Sequence, residues 1–284
     1  MANDAWIGIT ADLSQAESRV TDHIIWSLLP AGHPRKDFFQ WRALVRPDEY
    51  DQHTARAAVI FDKETSAVTK TERYLGKRTV HAYQRNMGPK TLWENILKDM
   101  SEVKGFEVPT VAKCQKLLEK LDVAEPEIKG VYSQWVKDQL VTTRTLKNSW
   151  GRQVHYQYER FSDALYRKGY SFFPQSEVAG FMAARVLSKD SDFYKAVAPF
   201  VQAGTLKKNA EVHDSLFMSA RPEVAYTATR ALVESLEQPR VMYGGELVIP
   251  CEVTIGRTWK GSKEWKRLPE REEFEAAVQE VLAA

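Results

Sequence analysis

The sequence is poor in cysteine, and the two it has, Cys114 and Cys251, give neither a disulfide framework nor a metal-ligand spacing. That excludes a small disulfide-stapled secreted fold and a zinc module, and it is the usage expected of a reducing, cytoplasmic setting. Long apolar runs are missing as well: none approaches the roughly 20 residues that span a bilayer. The opening Met-Ala-Asn-Asp-Ala-Trp carries no basic region and no apolar core, so it does not read as a signal peptide. Charge of one sign is not in excess either, with 40 Lys and Arg against 38 Asp and Glu. The net charge of +2 therefore neither demands nor excludes nucleic acid. No internal repeat or low-complexity tract appears.

What is present is an ordinary globular composition, 43% hydrophobic and 27% charged over 284 residues. That length supports one large domain or two interleaved subdomains with an ample core. The basic residues are unevenly spread. Between residues 68 and 90, Lys70, Arg73, Lys77, Arg78, Arg85 and Lys90 face only Glu72. A second basic stretch runs from Arg257 through Lys260, Lys263, Lys266 and Arg267 to Arg271. Two such stretches are compatible with a phosphate-rich partner.

Periodicity predicts a strand over 5–12 and helices over 15–29 and 51–61. Thr69-Lys-Thr-Glu72 is a capping box that opens a helix to about 86. Further helices are expected at 89–101, 109–121, 126–142, 157–168, 175–189, 191–203 and 221–237, with Gly105, Pro126 and the 169–174 segment as interruptions. Residues 206–209 read as a loop, 210–218 as a strand and hairpin, and 247–255 as a strand. The final amphipathic helix, 269–282, puts Phe274, Val278, Val281 and Leu282 on one face. Strands near the two ends with helices between them give an α+β architecture.

Three constellations carry chemistry. Asp12 ends the first strand just before a helix, a rigid support for a metal-binding carboxylate and equally a common place for a capping residue. Arg73, Lys77, His81 and Arg85 recur every four residues and share one helix face. Like charges at that spacing repel, so the row is either a solvated face or a comb of cations for a polyphosphate. Val212-His213-Asp214-Ser215-Leu216 offers a second carboxylate on a strand.

Asp12-Leu-Ser-Gln-Ala-Glu-Ser-Arg19 resembles the first palm motif of family-A DNA polymerases, the DNA polymerase I family. Asp51-Gln-His53-Thr resembles the string between that family's first two motifs. The row Arg73, Lys77, His81, followed by Met87-Gly88, resembles its fingers motif, with Arg85 and Asn86 in place of Tyr and Gly. Arg167-x-x-x-Ser171-x-x-Pro-Gln175 resembles the minor-groove string, with Ser171 for Asn, and His213-Asp214-Ser215 the third motif, with Ser for Glu. Gly256-Arg-Thr-Trp259 resembles the family's C-terminal ending.

The resemblance implies a phage-like palm–fingers portion of a DNA polymerase acting on primer–template DNA and dNTPs with two Mg²⁺ ions. It assigns catalysis to Asp12, Asp214 and Lys77, and metal binding to Asp12, Leu13 and Asp214. Nucleotide binding falls to Arg73, Lys77, His81, Arg85, Glu17 and Gln15, and DNA binding to Arg167, Gln175 and His213. Glu17 implies exclusion of the sugar 2′-hydroxyl, with Arg85 placed to hold it. Palm would cover 1–30 and 151–268, fingers 31–150, and a terminal helix 269–284. Eleven residues precede Asp12, so the thumb and any exonuclease are expected on an N-terminal partner subunit, or on the rest of a longer chain of which this is a fragment. An open edge at the first strand and the 269–282 helix would be docking elements for that subunit. The alternatives are a non-catalytic nucleic-acid-binding subunit that keeps the fold and, more weakly, a metal-dependent phosphohydrolase.

Overall fold

The computed structural model describes residues 5–99 and 108–283. Its first part holds β1 (Ile7–Leu13), α1 (Ala16–Leu28), α2 (Lys36–Leu44), α3 (Gln52–Phe61), α4 (Lys70–Gln84) and α5 (Pro89–Asp99). After these come α6 (Val111–Ala124), a π-helical turn Ile128–Ser133, α7 (Gln134–Thr143), β2 (Thr145–Lys147), β3 (Gln153–His155) and α8 (Asp163–Met182). A second π-helical turn, Ala183–Leu187, leads to α9 (Asp192–Gln202), β4 (Leu206–Val212), β5 (Ser215–Ala220) and α10 (Pro222–Leu236). The chain ends with β6 (Arg240–Met242), β7 (Gly245–Leu247), β8 (Cys251–Gly256), β9 (Lys263–Trp265) and α11 (Arg271–Ala283). The α+β class read from the sequence is the one observed. Gly105 and the end of the predicted 89–101 helix lie outside the described residues. Among the described residues no helix is long and apolar enough to cross a membrane.

Two compact units divide the chain: Met1–Val20 with Ser176–Ala284, and Thr21–Gln175. The first is built on an antiparallel sheet of order β4-β5-β1-β8-β9. Ile7, Ile9, Ala11 and Leu13 of β1 are all 0% exposed, because the strand is paired on both sides. The sequence reading had this strand at an open edge. Its neighbours come instead from β5 and β8, far downstream, so no edge remains at β1 for a partner chain. The actual edges are β9, three residues long, and β4, which carries exposed Lys207 and Lys208 and a bulge between Lys208 and Ala210. Short, charged and bulged edges resist further pairing.

The apolar face of the terminal helix is already occupied within this unit. Phe274, Val278 and Val281 are at most 4% exposed. Phe274 meets Tyr226 of α10 at 5.5 Å and Trp265 of β9 at 5.8 Å between ring centroids. The predicted strand 247–255 is broken in two, with Pro250 between β7 and β8, since proline cannot donate to a ladder. Residues 206–209 are strand rather than loop, and α2 was not foreseen.

The second unit is helical and centred on a buried ionic quartet. Asp22 of α1, Arg42 of α2, Arg56 of α3 and Glu125 after α6 are each at most 4% exposed. Arg42 grips Asp22 with two bonds, Nε to Oδ2 at 2.8 Å and Nη2 to Oδ1 at 2.6 Å, and reaches Glu125 Oε1 at 2.7 Å. Arg56 grips Glu125 in the same way, at 2.8 and 2.9 Å. Gln52 ties the two halves, accepting from Arg56 at 3.0 Å and donating to the Arg42 carbonyl at 2.7 Å. Burial pushes the Glu125 carboxyl pKa up, but Arg42 and Arg56 hold it well below the usual carboxylate range. Two positive and two negative groups thus leave no net charge in the interior.

The sequence reading placed helices at 157–168 and 175–189 with a break at 169–174. Residues 157–162 are turns, and a single helix, α8, runs through Pro174. Proline at 174 removes the N–H that would bond the Tyr170 carbonyl. The Tyr132 hydroxyl donates to that carbonyl at 2.7 Å instead. Gly169 permits the close approach that makes this possible, since a Cβ there would lie 2.8 Å from Val136 Cγ1.

Glu125→Ala would leave two buried guanidiniums facing one carboxylate. It should cost about 3–5 kcal/mol of unfolding free energy by chemical denaturation; a loss under about 1 kcal/mol would show that the quartet does not hold this unit together.

Candidate active site

Two of the candidate acids, Asp12 and Asp214, lie in the first unit. Asp12 is the last polar residue of β1, partly buried, and lies opposite Ser215 of β5 on one side and Glu252 of β8 on the other. Asp214 is not on a strand, as the sequence reading had it, but in the two-residue turn joining β4 to β5. A two-residue hairpin turn needs a residue at positive φ, and His213 supplies it at +55°. The turn is fastened to β1, with Leu13 N–H donating to the Asp214 carbonyl at 2.9 Å. On the other side Ser14 N–H donates to the Pro250 carbonyl at 2.8 Å. The first of these bonds sets the main chain of Asp214 beside the end of β1 that carries Asp12, and the second ties that end to the segment before β8.

Gln15 sits at φ +56°, turning the chain from β1 into α1, and Glu17 falls in the first turn of that helix, where the macrodipole favours an acid. Arg19, fully buried, donates from Nε to the Ser14 carbonyl at 2.8 Å and so stiffens the same corner. Glu252 accepts from the Ser14 hydroxyl at 2.9 Å and from Lys266 at 2.9 Å. This donor set suits a hard cation: two carboxylates, with Leu13 able to offer only its main chain because its side chain is 0% exposed. Among the described residues no three His, Cys, Asp or Glu side chains gather into a cage. Mg²⁺ is commonly held by one or two carboxylates with phosphate oxygens and water completing its octahedron.

The cationic row lies on α4, which belongs to the second unit. The capping box is present: the Thr69 hydroxyl accepts from Glu72 N–H at 3.2 Å, and the Glu72 carboxylate accepts from Thr69 N–H at 2.9 Å. α4 packs tightly on α3, since a Cβ on Gly76 would lie 2.7 Å from Ala57 Cβ. Arg73 Nε donates to Asp51 Oδ2 at 2.7 Å, while Oδ1 of the same carboxylate caps α3 through the His53 and Thr54 N–H groups. Lys77 is exposed. Arg85 caps the C-terminal end of α4 rather than lying within it, so the helix is shorter than the predicted 70–86.

The comb also has fewer charges than the spacing suggests. Burial, and then the neighbouring Arg85 and Lys77, push His81 down to about 3, so it is neutral. The buried His53 ring, 5.9 Å from His81, is held well below its ordinary value by burial and then by neighbouring His81, Lys77, Arg56 and Arg73. Arg73, Lys77 and Arg85 remain as the charged members.

Arg167, Ser171 and Gln175 share one face of α8 and line a cleft of about 790 Å³ with Met87, Gly88 and Tyr156. His213, exposed in its hairpin turn, belongs to the other unit. Sequence reasoning missed Asp51 as the partner of Arg73 and Glu252 as the neighbour of Asp12. Asp51 was visible as an N-cap before His53-Thr-Ala; Glu252 carried no local signal, because only strand register brings it to Asp12.

The depressed histidines give a pH signature. The folded value of His81, about 3, lies below the 6.5 of an unperturbed histidine, so the unfolded chain takes up the proton first. Stability should therefore fall as pH drops below 6.5, by at most about 1.4 kcal/mol per pH unit for each such histidine. His81→Phe should roughly halve that slope between pH 6.5 and about 5 in denaturant titrations; an unchanged slope would mean His81 is protonated in the folded state.

No protein-family model matches this chain, and no curated protein matches it. Solved structures do. The chain is similar to the POL domain of Pol1 from M. smegmatis, in complex with DNA primer-template and dNTP, with a TM-score of 0.67 and 18% identity. The match covers 90% of this chain and 40% of the other, so the chain spans well under half the length of its structural neighbour. At that identity the likeness is one of fold, and the fold is that of a DNA polymerase domain.

Proposed function

We propose that the chain is the palm–fingers portion of a template-directed DNA polymerase of family A, transferring nucleotides from dNTPs to a primer 3′-hydroxyl. The observation that carries this reading is the fastening of the Asp214 turn to the end of β1 beside Asp12, in a chain with a polymerase-domain fold. Two Mg²⁺ ions would be held by Asp12 and Asp214, with the Leu13 main chain beside them. When bound they supply charge stabilisation at the attacking and leaving oxygens.

The chain's own residues do the rest. Main-chain bonds fix the backbone at Asp12 and Asp214, so the two carboxylates start from fixed positions when an ion arrives. Arg73 and Lys77 would bind the triphosphate, Arg73 exchanging its bond to Asp51 for phosphate oxygens. As the 3′-oxygen, its proton lost to solvent water, bonds to the α-phosphorus and the bond from that phosphorus to the bridging oxygen of the β-phosphate breaks, Lys77 Nζ would donate a proton to the departing pyrophosphate. Neutral His81 and Arg85 complete the nucleotide-facing row, and Gln15 and Glu17 lie at the corner after Asp12, with Glu17 excluding a 2′-hydroxyl. Arg167, Gln175 and His213 would track the template–primer. An N-terminal polymerase polypeptide that carries a thumb belongs to the proposal as partner. Assays therefore run with and without a thumb-bearing polypeptide.

Asp12→Ala and Asp214→Ala should each lower Mg²⁺-dependent incorporation by at least about a thousandfold while leaving primer–template affinity nearly unchanged. Incorporation within tenfold of the parent would sink the two-acid assignment and leave a nucleic-acid-binding subunit as the reading. Arg73→Ala and Lys77→Ala should raise the dNTP KM by about tenfold or more without changing DNA affinity. If DNA affinity falls and nucleotide kinetics do not, the comb faces DNA instead.

A further inference from the structure

The segment after Trp259 lies beyond the residues that resemble the polymerase family, yet it reaches back to the acidic corner. β9 joins the sheet through Val253↔Trp265 and Ile255↔Lys263. α11 fastens that strand in place. Trp265 Nε1 donates to Glu273 at 2.7 Å, the Trp265 ring stacks on Phe274, and Lys263 pairs with Glu280 at 2.5 Å. The residue that follows β9 is Lys266. Its Nζ lies 2.9 Å from Glu252 Oε1 and 3.5 Å from Glu264 Oε1.

Glu252 stands opposite Asp12 in the β1–β8 ladder. Side chains opposite one another share a sheet face, with Cβ atoms about 4.5–5.5 Å apart, and like charges so placed repel. A bare carboxylate there would also add negative charge beside any cation at Asp12, and would be near enough to turn in as a further ligand. Two contacts oppose this. Lys266 offsets the charge, and the Ser14 hydroxyl donates to the same Oε1 at 2.9 Å. Held in this way, Glu252 does not form a cluster of three with Asp12 and Asp214. With side chains 40% and 19% exposed, the Lys266–Glu252 pair adds little to stability. What it fixes is the charge at the corner.

We propose that the β9–α11 extension is part of the cation site: Lys266 cancels the charge of Glu252 and keeps it off an ion at Asp12 and Asp214, so this pair sets how tightly a divalent ion is held. The proposal rests on the two-acid reading of that site and gives Lys266 and Glu252 positioning roles in it. The sign of each effect follows from charge alone. Removing Lys266 leaves an extra carboxylate beside the ion, which attracts it; removing Glu252 leaves an extra ammonium, which repels it. A pair that served only to shape the fold would shift binding in the same direction whichever partner was lost.

The test is titration of the full chain with Mn²⁺, without DNA or nucleotide and at constant ionic strength, reading free Mn²⁺ by electron paramagnetic resonance. Binding lost in the double variant Asp12→Asn with Asp214→Asn defines the site. At that site Lys266→Gln should tighten binding and Glu252→Gln should weaken it, each by about fivefold. Lys266→Arg, which keeps the charge, and Lys266→Gln combined with Glu252→Gln, which removes both charges, should each stay within twofold of the parent. Melting temperatures should be unchanged in all of these Lys266 and Glu252 variants. Single-variant shifts of the same sign, or either one under twofold, overturn the inference and leave the two-acid reading intact. Equal Mn²⁺ binding by the parent and the Asp12–Asp214 double variant overturns that reading, and the inference with it.

Discussion

A strand hydrogen-bonded along both edges cannot slip, and the candidate chemistry depends on that. A one-residue shift of β1 would turn Ile7, Ile9, Ala11 and Leu13 out of the core and bury Asp12 among apolar neighbours. Pairing to β5 on one side and β8 on the other makes such a shift disrupt two ladders at once. The same pairing determines what stands near Asp12. The β4–β5 turn, with Asp214, comes in on one side and Glu252 on the other. Register, which no local propensity encodes, therefore decides the composition of the acidic corner.

The helical unit solves a different problem. Its helices converge on two buried arginines and two buried acids, and each guanidinium fork is matched to a carboxylate in the bidentate geometry that best repays desolvation. Because Asp22, Arg42, Arg56 and Glu125 come from four separate segments, the quartet specifies how α1, α2, α3 and the end of α6 meet. α4, which carries the cationic row, is in turn seated on α3 through Gly76 and tied to its N-cap by Arg73 and Asp51.

Much of this was legible in the sequence where a short-range rule applies. The Thr69–Glu72 capping box, the β1-to-α1 corner, α9, α10 and α11 all follow from periodicity and caps within a few residues. The motif order from Asp12 to Asp214 was enough to anticipate a polymerase fold. What escaped depended on distant partners. Gly169 and Pro174 read as breakers because Tyr132, which repairs the helix, lies 38 residues upstream. β1 read as an edge because β5 and β8 lie beyond the helical unit. His81 read as a cation because its solvation and the charges crowding it are properties of the packed α3–α4 pair.

The discontinuity of the first unit also sets a timetable. β1 leaves the ribosome early, but Asp12 must wait for Ser215, roughly 200 residues later, and for Glu252 after that. At about 5–20 residues per second, the wait is ~10–40 s. The helical unit, which spans 21–175, is complete in sequence while the apolar Ile-Gly-Ile-Thr-Ala-Asp-Leu segment has none of its strand partners. A nascent chain of this design carries an unsatisfied hydrophobic strand through most of its own synthesis. Its yield in the cell is then governed as much by what shelters that segment during translation as by the stability of the finished sheet.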